Sequence, residues 1–359
     1  MKKKLFFAAV DFNIGGIEKA LVNLLNNINY DKYEVFLYLE KKQGILLNDL
    51  NKNVIVKELK VSNNKIIIIR KFINFTRKLL FKIKNKNKFD FSCCYATYSY
   101  SSIKLALIAS KNSSLYVHSD YSFIYDEKEY RYFYDTHYIN QFRKVIFVSN
   151  ESKNNFLNYY NSFNNKVIVI NNFININDII EKAKENVDLE LNSTNKHFVF
   201  VGRLDDKSKK LSRAINLVKN IDNIDLIIIG DGPDRKKYEQ LVCKYNLNNR
   251  INFLGMKDNP YPYIKISDYL ILTSDYEGFP VTYLEAIVLN KIIITTINTS
   301  DEIINIRDGF GYIISKDESK MIDEVKKILK DNKKNKKVDF YSIQNNRMKK
   351  LEELFEEVI

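Results

Sequence analysis

Short runs of β-branched, aromatic and leucine residues alternate along this chain with stretches of helical apolar periodicity. Leu5–Val10, Val35–Leu39, Val54–Glu58, Phe89–Tyr95, Leu115–His118, Val145–Val148 and Val167–Ile170 read as strands. Intervals such as Gly16–Asn27, Lys65–Lys84 and Asp126–Phe142 read as helices. A second series follows, with strands expected at His197–Val201, Leu226–Ile229, Ile251–Leu254, Tyr269–Leu272, Lys291–Thr295 and Gly311–Ile314. Strands that carry near-continuous apolar runs and alternate with helices predict parallel sheets covered on both faces, so the fold class is α/β.

The break between the two series falls between Asn171 and Lys196. Asn172, Asn175, Asn177, Asn186, Asn192, Ser193, Thr194 and Asn195 make it polar, with one helical piece at Asp178–Lys184. At 359 residues the chain exceeds one ordinary core. The expected organisation is a domain over 1–172, a connection over 173–195 and a second domain over 196–338. A terminal segment, 339–359, carries a helix from about Tyr341 to Glu357 that is free to pack back on the first domain. Lys330–Lys337 is a second polar, basic stretch, and no fixed-period repeat is present.

Composition narrows the classes. No apolar run approaches the ~18–20 residues that span a bilayer. Met1-Lys2-Lys3-Lys4 followed by Leu5–Val10 imitates a signal peptide. Its apolar stretch is too short for an h-region and no small-residue cleavage site follows, so a buried first strand is expected. Cys93, Cys94 and Cys243 suit neither a disulfide scaffold nor a zinc site, which points to a reduced, cytoplasmic compartment. The net charge of +13 is partly a matter of a composition rich in Lys, Asn and Ile. Its distribution says more. Lys65–Lys88 holds nine basic residues and no acidic one, interleaved with Ile66–Ile69, Phe72, Ile73, Phe75, Leu79, Leu80, Phe81 and Ile83. Two readings follow: a basic amphipathic surface for anionic lipid on the inner face of the plasma membrane, or an ordinary helix whose apolar face is core. No motif supports nucleic acid as a partner.

Parallel sheets bind ligands at the carboxyl ends of their strands, and five turns there carry unusual residues. Asn13-Ile14-Gly15-Gly16-Ile17-Glu18 joins strand one to helix one and lets a phosphate approach backbone N–H groups, or it is only a tight turn. His118 ends a strand and is either a sugar contact or structural. Gly202-Arg203-Leu204, with Asp205-Asp206-Lys207-Ser208-Lys209-Lys210, opens the second domain; its Arg and Lys residues suit a diphosphate, or a solvated basic turn. Gly230-Asp231-Gly232-Pro233 is turn chemistry, mostly architectural. The strongest signal is Thr273-Ser274-Asp275-Tyr276-Glu277-Gly278-Phe279-Pro280, then Val281–Glu285. Glu277 in the loop and Glu285 in the following helix suit sugar hydroxyls, beside the free N–H groups of a helix start.

Gly15-Gly16-Ile17-Glu18, Gly202-Arg203-Leu204, Gly230-Asp231-Gly232-Pro233 and Glu277-Gly278-Phe279-Pro280 with Glu285-Ala286 together resemble the retaining family-4, or group 1, glycosyltransferases of bacterial surface-polysaccharide synthesis. The motifs run in family order over nearly the whole chain. The resemblance implies the GT-B fold, in which two Rossmann-like domains face each other across a cleft. It implies that Glu277 binds donor-sugar hydroxyls and Glu285 the ribose. Arg203 and a following lysine would hold the diphosphate, and Gly15, Gly16 and their neighbours would border the phosphates and acceptor. Gly202, Gly232, Gly278, Phe279 and Pro280 would line the donor site, with His118 beside the donor sugar. The family lysine falls on Ser208 unless one residue is inserted, which puts Lys209 in its place and leaves Lys207 open. Asp301-Glu302 also resembles a loop near the donor.

The resulting expectation is transfer of a hexose or N-acetylhexosamine from a nucleotide-sugar, UDP-linked by preference, to a glycan or lipid-linked acceptor with retention of configuration. No Asp-x-Asp occurs anywhere, so no metal or other cofactor is expected, and Arg203 with Lys209 would take the ion's place. The rivals are a non-catalytic sugar-nucleotide-binding partner subunit and a Rossmann oxidoreductase. The second is weakened by the lack of a full Gly-x-Gly-x-x-Gly fingerprint.

Overall fold

A computed structural model describes residues 1–13, 15–59, 62, 64–297, 310–331 and 338–357. Ile14, Asp301, Glu302 and most of the Lys330–Lys337 stretch lie outside the described residues. The chain forms two compact units, Met1–Phe173 with Tyr341–Ile359, and Ile174–Phe340.

The first unit runs β1 (Lys3–Ala9), α1 (Gly16–Asn26), β2 (Tyr33–Leu39), β3 (Ile55–Glu58), α2 (Ile67–Asn85), β4 (Phe91–Cys94), α3 (Tyr100–Ala109), β5 (Ser113–Val117), α4 (Glu127–Thr136), β6 (Lys144–Phe147), α5 (Asn150–Tyr159) and β7 (Val167–Val169). The strands form one parallel sheet in the order β3-β2-β1-β4-β5-β6-β7. Successive residues of β1 face opposite sides, as the pleat requires. Phe6 meets Tyr38, Phe81 and Phe89 on one face. Phe7 meets Phe91 and Phe355 on the other. Phe355 belongs to the C-terminal helix (Phe340–Glu356), which covers that second face.

Helix α2 departs from ordinary sheet packing. Phe81 is its only buried residue, while Ile66, Ile67, Ile68, Ile69, Phe72, Phe75, Leu79, Leu80 and Ile83 are exposed. Of the two readings left open for this segment, the one in which its apolar face is core does not hold. The helix reaches the core on its Ile73–Asn74–Arg77–Phe81 side, and the bulky stripe points away from it.

The second unit begins with α6 (Ile176–Lys182), inside the stretch read from sequence as a connection. Ile176 and Ile179 are buried, and the Asn259 side chain donates to the Lys182 carbonyl at 2.8 Å. There follow β8 (Lys196–Val201), α7 (Leu211–Asn220), β9 (Ile224–Ile229), α8 (Arg235–Lys244), β10 (Ile251–Phe253), α9 (Tyr261–Ile266), β11 (Tyr269–Leu272), α10 (Val281–Val288), β12 (Ile292–Thr295), β13 (Gly311–Ile313) and α11 (Glu318–Ile328). The sheet is again parallel, in the order β10-β9-β8-β11-β12-β13. Both units are Rossmann-like. No helix among the described residues is long and apolar enough to cross a membrane.

Candidate functional site

In the second sheet the chain winds outward from β8 to β10 and then returns to place β11 beside β8. The connections leaving β8 and β11 therefore run in opposite directions from the carboxyl edge, which makes this the switch point where parallel sheets take ligands. They begin with the turns Gly202–Lys210 and Thr273–Pro280, two of the five singled out by sequence.

They are tied together closely. The Asp275 N–H donates to the Ser208 carbonyl at 2.8 Å, and the Thr273 hydroxyl donates to the Lys210 carbonyl at 2.9 Å. Arg213 donates to the Thr273 carbonyl at 3.0 Å and to Asp275 Oδ1 at 2.7 Å. Lys316 Nζ donates to the Asp275 carbonyl at 2.6 Å. Lys210 turns the chain into α7 in a left-handed conformation, with φ of 49°. Within this frame Lys209 Nζ lies 2.5 Å from Glu277 Oε1, and the Ser274 hydroxyl donates to the same oxygen at 2.7 Å. The Glu277 side chain is 10% exposed and that of Lys209 23%, so the pair is sheltered yet reachable.

The other sequence candidates fall around this pair. Arg203 is exposed, and no described residue engages its guanidinium. Lys207 is exposed as well, and its backbone N–H is held by the Asp205 carboxylate at 2.8 Å. Gly202 runs beside Lys209, whose Cε would lie 3.9 Å from a Cβ built there. Gly232 has an architectural reason: a Cβ there would meet the Leu204 carbonyl oxygen at 2.3 Å. Phe279 and Pro280 are buried and lead into α10, with Gly278 half-buried before them. Glu285 is 2% exposed, and Tyr261 on α9 donates to its Oε1 at 3.3 Å.

The first sheet has its own switch point, between β1 and β4. Gly15 caps α1 in an extended conformation, and Gly16 has open space where a Cβ would stand. The Tyr98 hydroxyl, in the turn after β4, donates to Glu18 Oε1 at 3.2 Å and so joins the two turns. Burial raises the Glu18 pKa and nearby Asp11 adds to this, while the Glu18 backbone N–H and Tyr98 oppose it. His118 follows β5. Its ring stacks on Tyr116 at 4.8 Å and 7° and lies 4.3 Å from Tyr95. Both ring nitrogens are enclosed, and neither completes a hydrogen bond of ordinary geometry. Burial lowers the pKa to about 3, against a weaker upward pull from the Tyr95 backbone. The sugar contact expected of His118 is thus not open as the residue stands.

Sequence reasoning missed Tyr261, Arg213 and Lys316, and took Ser274 only as part of a motif. The first three lie on other elements, and nothing local marks them. It also missed Glu40, which accepts from the Ser99 and Ser102 hydroxyls at the start of α3. Among the described residues no three His, Cys, Asp or Glu side chains gather as a metal site requires.

Two family models match the chain, one described as "Glycosyltransferase Family 4" over residues 14–178 and one as "Glycosyl transferases group 1" over residues 181–345. An uncharacterized glycosyltransferase of Methanocaldococcus jannaschii is 30% identical over 166 residues, 44% of this chain and 41% of that protein. An N-acetylgalactosamine-N,N'-diacetylbacillosaminyl-diphospho-undecaprenol 4-alpha-N-acetylgalactosaminyltransferase of Campylobacter jejuni is 29% identical over 174 residues, 47% of this chain and 46% of that protein. The matched part thus spans under half the length of these relatives. In fold, the structure of HepE from Anabaena, solved with UDP and glucose, aligns over 98% of this chain and 99% of its own, with a TM-score of 0.75 at 16% identity. With both sheets, the matched halves and the order of the motifs in agreement, the chain belongs to the group 1, family-4 glycosyltransferases of GT-B fold.

Proposed function

We propose that this chain transfers a hexose or N-acetylhexosamine from a UDP-sugar to a glycan or lipid-linked acceptor, with retention and without a metal, in the synthesis of cell-surface polysaccharide. The observation that carries this reading is the Lys209–Glu277 pair at the β8/β11 switch point. A cation and a carboxylate, held together and sheltered, are the two groups a sugar diphosphate needs. On donor binding the Lys209 ammonium turns to the phosphate oxygens and frees Glu277 to accept from the sugar hydroxyls. Arg203 adds its planar fork to the diphosphate. Glu285 takes the ribose hydroxyls, with Tyr261 beside it.

The bond from the anomeric carbon to the phosphate oxygen breaks, so positive charge grows on the sugar ring and negative charge on the departing diphosphate. Fixed cations stabilise that charge. The acceptor hydroxyl attacks from the same face and passes its proton to the leaving phosphate oxygen, which retains configuration without a protein nucleophile. The Anabaena neighbour's complex with UDP and glucose supports the donor class. The diphospho-undecaprenol in the Campylobacter relative's name supports a lipid-linked acceptor.

The test is a panel of nucleotide-sugars with and without lipid-linked acceptors, followed by nucleotide release and by NMR of the new anomeric centre. Acceptor-dependent release that survives EDTA is expected. Failure of every donor to bind or turn over, or full dependence on added magnesium or manganese, overturns the reading. A folded Glu277→Ala variant should lose transfer about 100-fold or more, the scale of a lost transition-state contact.

A further inference from the structure

We propose that α2 is a docking helix for an anionic bilayer surface. This rests on the geometry of the first unit and does not depend on the donor chemistry above. Ile68, Phe72, Phe75, Leu79 and Ile83 recur at i, i+4, i+7, i+11 and i+15, so they form one stripe along the helix. They are exposed by 78%, 67%, 64%, 47% and 69%. Ile69 and Leu80 widen the stripe and are exposed too. A soluble surface rarely leaves so long a run of bulky apolar groups in water, and such patches mark binding surfaces. Over the helix it extends roughly 22 Å, at the α-helical rise of about 1.5 Å per residue.

The charges choose the occupant. At helical spacing Lys71 and Lys82 border one edge of the stripe, while Arg70 and Lys84 stand at the two ends of the helix, on its Phe81 side; all four are exposed. No acidic residue occurs from Lys65 to Lys88. Arg77 and Lys78 are half-buried on the domain side, where Lys78 Nζ stands 5.6 Å from the Tyr100 ring centroid. A second copy laid on the same stripe would bring these cations against their own kind. A long apolar line edged by Lys71 and Lys82, on a helix with no acidic residue, instead matches acyl chains below anionic headgroups, with the lysine stems reaching up to the phosphates.

The experiment is co-sedimentation of the full chain with vesicles of phosphatidylcholine alone and of phosphatidylcholine mixed with phosphatidylglycerol. Binding is expected only with the mixed vesicles and should weaken as salt rises. Phe72→Ser/Phe75→Ser/Leu79→Ser should bind roughly tenfold more weakly or worse while the chain still unfolds cooperatively near the wild-type melting temperature, because much of the surface removed is already in water. Arg70→Gln/Lys71→Gln/Lys82→Gln/Lys84→Gln should lose about fivefold per charge. As an independent readout, a solvatochromic dye on Ile83→Cys, in a Cys243→Ser background, should shift to the blue on mixed vesicles. Absence of binding at low salt, an unshifted dye, or a serine variant that binds like wild type overturns the proposal. So does a concentration-dependent dimer, seen by light scattering without lipid and lost in the serine variant.

Discussion

At the scale of single residues, the structure separates two lysines that the sequence left as alternatives. Lys209 reaches Glu277, whereas Lys207 points to solvent from the same turn. Lys209→Ala should therefore lower kcat about 100-fold or more, and Lys207→Ala should stay within about threefold of wild type. Steady-state kinetics on the two variants would decide between them, and equal losses would remove the assignment. His118 gives a second prediction, on pH. Its folded pKa is pushed down to about 3 by burial, while an unfolded histidine titrates near 6.5. Between those values the unfolded state binds the proton and the folded state does not, so stability falls as pH drops below about 6.5. From pH 7 to pH 5 the wild type should lose about 2 kcal/mol more than His118→Gln, as read from urea midpoints. Parallel losses in the two proteins would contradict it. Glu277 was legible because a glutamate in a glycine-containing loop after a strand is a local pattern. Tyr261 was not, because its tie to Glu285 exists only once α9 packs beside α10.

At the scale of elements, apolar periodicity located the strands of both sheets and most of the helices, since period and composition are local properties. It could not say which way a helix faces. α2 has the periodicity of a core helix, yet it packs through Phe81 and turns its stripe outward. The turns show a similar limit. Gly230-Asp231-Gly232-Pro233 announces a turn, but the need for glycine comes from another strand's turn. Gly230 has φ of 138°, and a Cβ there would lie 1.9 Å from the Gly202 carbonyl oxygen. Gly230→Ala should cost about 2–4 kcal/mol, because a left-handed backbone and a backbone clash act together. It should also weaken nucleotide binding, since the Gly202–Leu204 turn must shift. Urea unfolding and nucleotide titration calorimetry measure the two effects, and an unchanged midpoint would show that the turn adapts.

At the scale of the molecule, the first unit is closed by the last stretch of the chain. Leu351, Leu354 and Phe355 are buried in it, and Phe355 packs against Phe7, Tyr33 and Phe91. The Asn112 side chain donates to the Leu354 carbonyl at 2.7 Å. Ion pairs surround this contact, among them Lys3–Glu356, Lys32–Glu352 and Arg143–Glu357. They lie near the surface, where a pair is worth about 0–1 kcal/mol. Loss of a buried phenyl ring costs about 3–5 kcal/mol. The aromatic cluster therefore dominates. Phe355→Ala should lower the urea midpoint sharply and Glu356→Gln should leave it nearly unchanged, and the reverse ranking would mean that charge holds the helix in place.

The sequence by itself determined that the chain is α/β with two parallel sheets, and it singled out the glycine-bearing turns at the ends of their strands. Strand–helix alternation is written in local apolar runs, and glycine-bearing turns in a few adjacent residues. Tertiary structure alone decided that Lys209 meets Glu277, that Ser274, Arg213 and Lys316 set the frame around them, that Ile174–Lys182 joins the second unit, and that the stripe of α2 faces solvent. Each of these depends on contacts between segments far apart in the chain. Whether an apolar face is core or surface depends on what packs against it, and no local pattern specifies that.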